Sequence, residues 1–395
     1  MKKKILVIAM PESIHAVRWL NQITEQGWEI HLFPSLGGRK FHPEFDGVIA
    51  HYWFHSKHLK KNVEIGKFMA FMNRAFSYIR CAIIERLYPD HRAKQLGKLI
   101  ERLKPDLIHS LEFQSSGYLT LNAKKYLSST FPKWIATNWG SDIYLFGRLK
   151  AHREKIKEVL LNCDYYSCEC ERDVKLAKDF DFNGISLPVF PNTGGFDLDR
   201  LRCVRQTKTS QRRRIMLKGY QHWAGRCLVG LRALERCADL LKNYEIDIYS
   251  ASHDVVIASE LFTNSTGIVT NIVDSNTPHE RILELHAQAR ISIGLSISDA
   301  ISTSLLEAMV MGSFPVQSCT SCADEWLEHG KSGMIVPAED PDIIEMALRI
   351  ALSDDELVDT AAEINWETAL KRLNGSSLKK KALDMYFSAL QSNIK

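Results

Sequence analysis

Short unbroken apolar runs alternate along this chain with stretches whose apolar residues recur every three to four positions, and this alternation restricts the fold more than any other feature. Residues 4–10, KILVIAM, have no polar interruption, so a strand there is buried on both faces, as in a parallel sheet. In the next stretch, AVRWLNQITEQG, Val17, Leu20, Ile23 and Thr24 keep helical spacing until Gly27 ends it. EIHLF then supplies a second run, which makes a βαβ opening.

GVIAHYW, DLIHS, WIATNWGSDI, YYSC and SLPVF carry the same pattern to residue 190, with a long helical region over 60–104 and further helices to about 127, over 149–161 and over 171–179. Residues 191–214 interrupt it. Pro191, Asn192, Gly194 and Gly195 form a turn-rich break, and a basic segment ending in Arg212-Arg213-Arg214 leads into a new strand, IML. A second set follows: EIDIYS, GIVTNIV, ARISIGLS and FPVQS as strands, with helices over 225–241, 254–262, 278–289 and 302–311. DIIEMALRIALS after Pro341 and LKKKALDMYFSALQ in the tail are helical. The expectation is α/β with two Rossmann-like α/β/α domains, the natural division for 395 residues, facing across a deep cleft. Inter-domain clefts favour small-molecule ligands.

A hydrophobic content of 45% is that of a folded globular protein, and the net charge of +4 does not by itself imply nucleic acid, for which no recognition module is present. The charge is uneven: between Lys57 and Lys104 there are twelve Lys/Arg against four Asp/Glu, with Tyr78, Ile83, Ile84, Leu87 and Tyr88 among them. Such a segment suits an anionic membrane surface or an anionic substrate, or is the basic outer face of ordinary helices. No apolar run reaches the roughly 20 residues that cross a bilayer. Lys2–Lys4 with the short run after them read as a first strand rather than a signal peptide. Scattered cysteines suit a reducing compartment. Cys168-x-Cys170 and Cys319-x-x-Cys322 are too few ligands for a structural zinc, so no metal is expected.

The chemistry concentrates at strand ends, where open α/β sheets bind ligands. In GLSISDAISTSLLEAMVMGSFPVQS, Ser296, Ser298 and Asp299 end a buried strand, Ser302 and Thr303 open a helix whose free N–H groups suit an anion, and Glu307 follows among apolar residues. A helix cap accounts for Asp299 or Ser302, but a glutamate between Leu306 and Ala308 calls for a partner. Lys218-Gly219 ends the IML strand and Arg226 closes the GYQHWAG loop; two cations beside permissive glycines can neutralise a diphosphate, or are surface charge. In the first half, His15, His109 and the Asn138-Trp139-Gly140-Ser141-Asp142 loop fall at strand ends, where Asp142 meets sugar hydroxyls or caps a helix. Ser13 and His15 replace the glycines of a dinucleotide fingerprint, and neither GxSxG nor a P-loop is present.

Taken together, these positions resemble the retaining GT-B glycosyltransferases of family 4. The resemblance spans nearly the whole chain and is strongest over Asp299–Gly312, an acidic residue, seven others, then an acidic residue in Leu-Glu-Ala-Met-x-x-Gly, continued by Pro315 and Val316. Pro191-Asn192 through Asp197 is similar to the hinge, and Ser13-Ile14-His15 with Arg18-Trp19 to the opening of some members.

The resemblance implies an acceptor-side domain over 1–198, a nucleotide-sugar donor domain over 199–375, and a C-terminal helix over 376–395 expected to pack back on the first. It implies transfer of a hexosyl-type residue from a nucleotide-diphosphate sugar to a glycan or lipid-linked acceptor, with anomeric retention. No cofactor or metal is implied, and the expected location is cytoplasmic, at the inner face of a membrane. Glu307 would hold the donor ribose, and Asp299 would lie by the transferred sugar. Lys218 and Arg226 would grip the diphosphate, with Gly219, Ser298, Ser302 and Thr303 around it. Lys218, Arg226 and Asp299 would be catalytic, with His15 or His109 supplying the contact of the family's histidine, and Asn138, Trp139 and Asp142 would contact acceptor or sugar. Two departures stand out: Asp299 is one methylene shorter than the usual glutamate, and Trp139 stands where many members carry a histidine. The rival expectations are a nucleotide-sugar epimerase or hydrolase of the same fold, or a catalytically silent sugar-nucleotide-binding scaffold.

Overall fold

A computed structural model describes residues 2–37, 39–51, 56–60, 86–205 and 207–391. The chain divides into two compact units, one formed by residues up to Gly194 together with those from Leu378 onward, the other by Gly195–Ser377.

The first unit is built on strands β1 (Lys4–Ala9), β2 (Glu29–Pro34), β3 (Val48–His51), β4 (Ser56–Leu59), β5 (Leu107–Leu111), β6 (Lys133–Thr137), β7 (Tyr165–Ser167) and β8 (Ile185–Ser186), in the order β4-β3-β2-β1-β5-β6-β7-β8. All neighbours are parallel except β3 and β4. The two-residue period of a strand sends alternate side chains of β1 to opposite faces. Ile5, Val7 and Ala9 join one buried cluster, and Leu6 and Ile8 join the other. The first cluster is completed by Leu378, Ala382, Met385, Tyr386 and Ala389 of the C-terminal helix Gly375–Gln391. The second is covered by helices His91–Leu103 and Lys150–Asn162.

The second unit has β9 (Arg214–Lys218), β10 (Glu245–Tyr249), β11 (Val269–Ile272), β12 (Ala289–Gly294), β13 (Phe314–Ser318) and β14 (Met334–Val336), all parallel, in the order β11-β10-β9-β12-β13-β14. The chain works outward from β9 to one edge and then restarts at β12 on the other side. The carboxyl ends of β9 and β12 therefore flank a topological switch point, where connections leave in opposite directions and open a crevice.

Several expectations needed correction. Of the proposed 60–104 helix, residues 86–87 and His91–Leu103 are helical, after an antiparallel strand at Ser56–Leu59; residues 61–85, with Tyr78, Ile83 and Ile84, lie outside the described residues. The eighteen-residue helix Asp355–Arg372 and strand β14 were not anticipated. That helix buries Val358, Ala361, Ala362, Asn365, Trp366 and Ala369, and its many alanines blur the apolar stripe that reveals a helix. Among the described residues, no helix is long and apolar enough to cross a membrane.

Candidate functional site

In the second unit, β9 delivers Lys218 to the switch point. Gly219 follows because nothing larger fits: a Cβ there would lie 2.6 Å from the Cα of Ala251. The loop then folds on itself. A Cβ on Gly225 would meet the carbonyl oxygen of Tyr220 at 2.3 Å, and the loop docks on the end of β12 through Arg226 N–H to Leu295 O (3.0 Å) and Ile297 N–H to Ala224 O (2.9 Å). His222 lies within the field of both Lys218 and Arg226; burial first and then these two cations lower its pKa.

Lys218 Nζ donates to Ser302 Oγ at 3.4 Å and lies 4.7 Å from the centre of the Tyr220 ring. Ser302 precedes helix Thr303–Met311 but does not cap it with its side chain; its hydroxyl instead meets Ser304 Oγ at 2.7 Å. The first helical N–H groups thus open beside a lysine, the arrangement that receives an anion. Arg226 takes a different partner, its Nε donating to Glu339 Oε1 at 2.7 Å and its Nη1 to Gly225 O at 2.9 Å. Asp299 Oδ1 accepts from Ala300 N–H at 3.0 Å, and Ser298 is buried, its Oγ without a hydrogen-bond partner among the described residues.

Glu307 is 5% exposed in a helix otherwise lined by Leu305, Leu306, Ala308, Met309 and Val310. Its partners come from helix His279–Gln288: His279 Nε2 is 2.7 Å from Oε1, and His286 Nε2 is 3.6 Å from Oε2. His286 is fully buried, its pKa lowered to about 4 by desolvation, with Nδ1 at 2.8 Å from Ser292 Oγ. Tyr249 packs edge-on to that imidazole at 5.6 Å, and burial together with the Glu307 carboxylate raises its phenol pKa. These histidines escaped the sequence reading, although their separation of two helical turns places both on one face.

The first-unit candidates have different fates. His15 and Trp139 meet edge to face, ring centroids 5.8 Å apart. His109 is fully buried between Tyr386 OH at Nδ1 and Thr137 Oγ1 at Nε2, each 2.6 Å away, and burial lowers its pKa to about 3. Both nitrogens are engaged and no solvent reaches the ring. His109 therefore ties the sheet to the C-terminal helix instead of facing a substrate. Asn138 is likewise structural, its amide donating to Asp173 Oδ2 at 2.7 Å while its carbonyl accepts from Ile143 N–H at 3.1 Å. Asp142 organises its loop, Oδ2 accepting from Phe113 N–H (2.9 Å) and Trp139 N–H (2.8 Å), and burial followed by the Glu112 carboxylate raises its pKa. Glu112, also missed, holds φ 69° and ψ 158°, a backbone state costly for any residue but glycine, and accepts from Ser115 and Ser116 N–H.

The family described as glycosyl transferase 4-like matches residues 88–167, and that described as glycosyl transferases group 1 matches residues 270–365. Solved structures align over almost the full chain. HepE of Anabaena in complex with UDP and glucose has a TM-score of 0.70 at 12% identity, covering 98% of this chain and 100% of that one. Sucrose-phosphate synthase of Thermosynechococcus elongatus has 0.68 at 12%, covering 98% and 99%. The UDP-forming α,α-trehalose-phosphate synthase of Burkholderia xenovorans has 0.67 at 12%, covering 99% of each chain. No curated protein sequence matches. The chain shares the fold of these glycosyltransferase structures, and two of its segments match glycosyltransferase families.

The group 1 segment holds His279, His286, Ser298, Asp299, Ser302, Thr303 and Glu307. The 4-like segment holds His109, Asn138, Trp139 and Asp142. Lys218, Gly219 and Arg226 lie outside both, yet Lys218 reaches Ser302 inside the group 1 segment.

Proposed function

We propose that the β9–β12 crevice of the second unit binds a uridine-diphosphate sugar and that the enzyme transfers the sugar, with retention, to a glycan or lipid-linked acceptor. The observation that carries this reading is the Lys218–Ser302 contact at the open N-terminus of helix Thr303–Met311, one helical turn before Glu307. Three N-terminal features, a cation, a hydroxyl and free N–H groups, suit a diphosphate, and a carboxylate four residues on suits vicinal ribose hydroxyls. The base and the activated sugar are suggested by the similar structures, one a complex with UDP and glucose and one a UDP-forming synthase.

In this scheme the bond from the anomeric carbon to the phosphate oxygen breaks as the acceptor oxygen bonds to the same face of the sugar. The acceptor proton passes to the departing phosphate oxygen, so no protein nucleophile is required. Lys218 stabilises the charge that grows on the diphosphate, and Asp299 faces the sugar. Preorganised groups of this kind lower a barrier because they need not reorient as charge moves. Of the first-unit candidates, His15, beside Trp139, is the one kept for acceptor contact, since Asp142 is buried and holds its own loop. A membrane-associated acceptor is favoured by Leu87 and Tyr88, 66% and 65% exposed, close in sequence to Arg86, Arg92 and Lys94.

The test is incubation with UDP-sugars and a panel of soluble and lipid-linked acceptors, the latter in anionic vesicles, with products read by NMR. The expected product carries the donor's anomeric configuration. An inverted linkage overturns retention. Free sugar or an epimerised donor in place of a glycoside supports the hydrolase or epimerase reading, and donor binding without any product supports the silent scaffold.

A further inference from the structure

We propose that His279 is a positioning residue for the donor nucleoside, fixing the Glu307 carboxylate so that it presents its oxygens to the ribose hydroxyls. This rests on the reading above that Glu307 takes the ribose. Glu307 sits where a charge is costly, in a helix buried along its whole length beyond Thr303, and such a charge requires fixed partners.

Two sides of the carboxylate are held differently. On the inner side, His286 is immobile: Nδ1 is engaged by Ser292 Oγ, which meets Ser313 Oγ at 2.6 Å, and the ring is covered by Tyr249. Desolvation keeps that imidazole neutral at pH 7, so it offers no full positive charge, and at 3.6 Å its Nε2 stands beyond hydrogen-bond range of Oε2. The outer side has a partner at bonding distance. His279 Nε2 holds Oε1 at 2.7 Å from a side chain that is 39% exposed.

The backbone beneath His279 is the start of helix His279–Gln288, directly after Pro278, whose carbonyl accepts from Arg281 N–H at 2.9 Å. A ring nitrogen held in this way orients one carboxylate oxygen while leaving lone pairs on both oxygens for incoming hydroxyl hydrogens. His279 thereby sets the geometry of a group that acts on the ligand, a relation familiar where an outer residue orients a binding carboxylate.

The experiment is calorimetric titration of UDP into the full chain and into His279→Ala, His279→Gln, Glu307→Ala and the His279→Ala/Glu307→Ala double variant, with thermal melts of each. His279→Ala should weaken UDP about tenfold, the scale of one hydrogen bond to a charged group. His279→Gln, whose amide N–H reaches the same oxygen, should recover most of that loss. In the Glu307→Ala background the His279 change should cost less than about twofold, because the two residues act through one contact. Unaltered affinity in His279→Ala, or the same loss with and without Glu307, overturns the positioning role while leaving the nucleotide site intact. Unaltered affinity in Glu307→Ala defeats the ribose assignment and this inference with it.

Discussion

At the residue scale, one amino-acid type performs three jobs here, and the surroundings decide which. His109 is closed in by Tyr386 and Thr137, His286 is buried beside Ser292, and His279 reaches out of its helix to Glu307. The hydroxyl of Tyr386 lies between His109 Nδ1 and the indole N–H of Trp19, which donates to it at 2.8 Å. Tyr386→Phe leaves both nitrogens in the core without a partner, and an unmet buried polar group costs about 1–3 kcal/mol. Urea or thermal unfolding should therefore find the variant less stable by that order, whereas coincident curves would contradict the structural role given to His109. A position at a strand end made His109 a chemical candidate in the sequence. Its burial depends on a tyrosine 277 residues away, and no local pattern carries that information.

At the element scale, most of the architecture was legible because each central strand is an unbroken apolar run and each flanking helix has its own stripe. The runs KILVIAM and ARISIGLS became β1 and β12, both buried throughout or nearly so. The C-terminal helix was readable as amphipathic, and Leu378, Ala382, Met385, Tyr386 and Ala389 bury its stripe in the first unit. What escaped reading lacks those signals. Strand β14 has three residues, too few for a period, and helix Asp355–Arg372 hides its buried face among alanines and a polar Asn365. In the candidate site, Glu307 announced itself as a carboxylate among apolar neighbours, and Lys218 by its place at the end of β9. His279 did not, because its significance comes from the packing of two helices that brings it to a residue 28 positions away in sequence. Glu112 was similarly silent: its unusual backbone conformation leaves no mark on residue identity.

At the scale of the whole molecule, each unit keeps a neutral histidine in its core, and this makes stability depend on pH. An unfolded histidine titrates near 6.5. The folded pKa is lowered to about 3 for His109 and to about 4 for His286. Their contribution is thus complete above about pH 6.5 and is lost as pH falls, since the unfolded chain then binds protons that the native chain does not. The slope is roughly 1.4 kcal/mol per pH unit for each such group until the folded pKa is reached. In the first unit the raised pKa of Asp142 works in the opposite sense, so the second unit gives the cleaner reading. Melting temperatures should decline from pH 6.5 towards pH 4, with a shallower decline in His286→Leu; identical slopes would contradict the burial argument.

The two units share one sheet logic, but the claim on function rests on the second, where the switch point gathers Lys218, Ser302 and the start of helix Thr303–Met311. The most direct test is titration of UDP into the full chain and into Lys218→Ala. Saturable binding that weakens by about tenfold or more in the variant is the predicted result, matching the loss of one charge-assisted contact to phosphate. Failure of the unaltered chain to bind UDP, or equal affinity in the two proteins, would contradict a uridine-diphosphate site at the carboxyl end of β9.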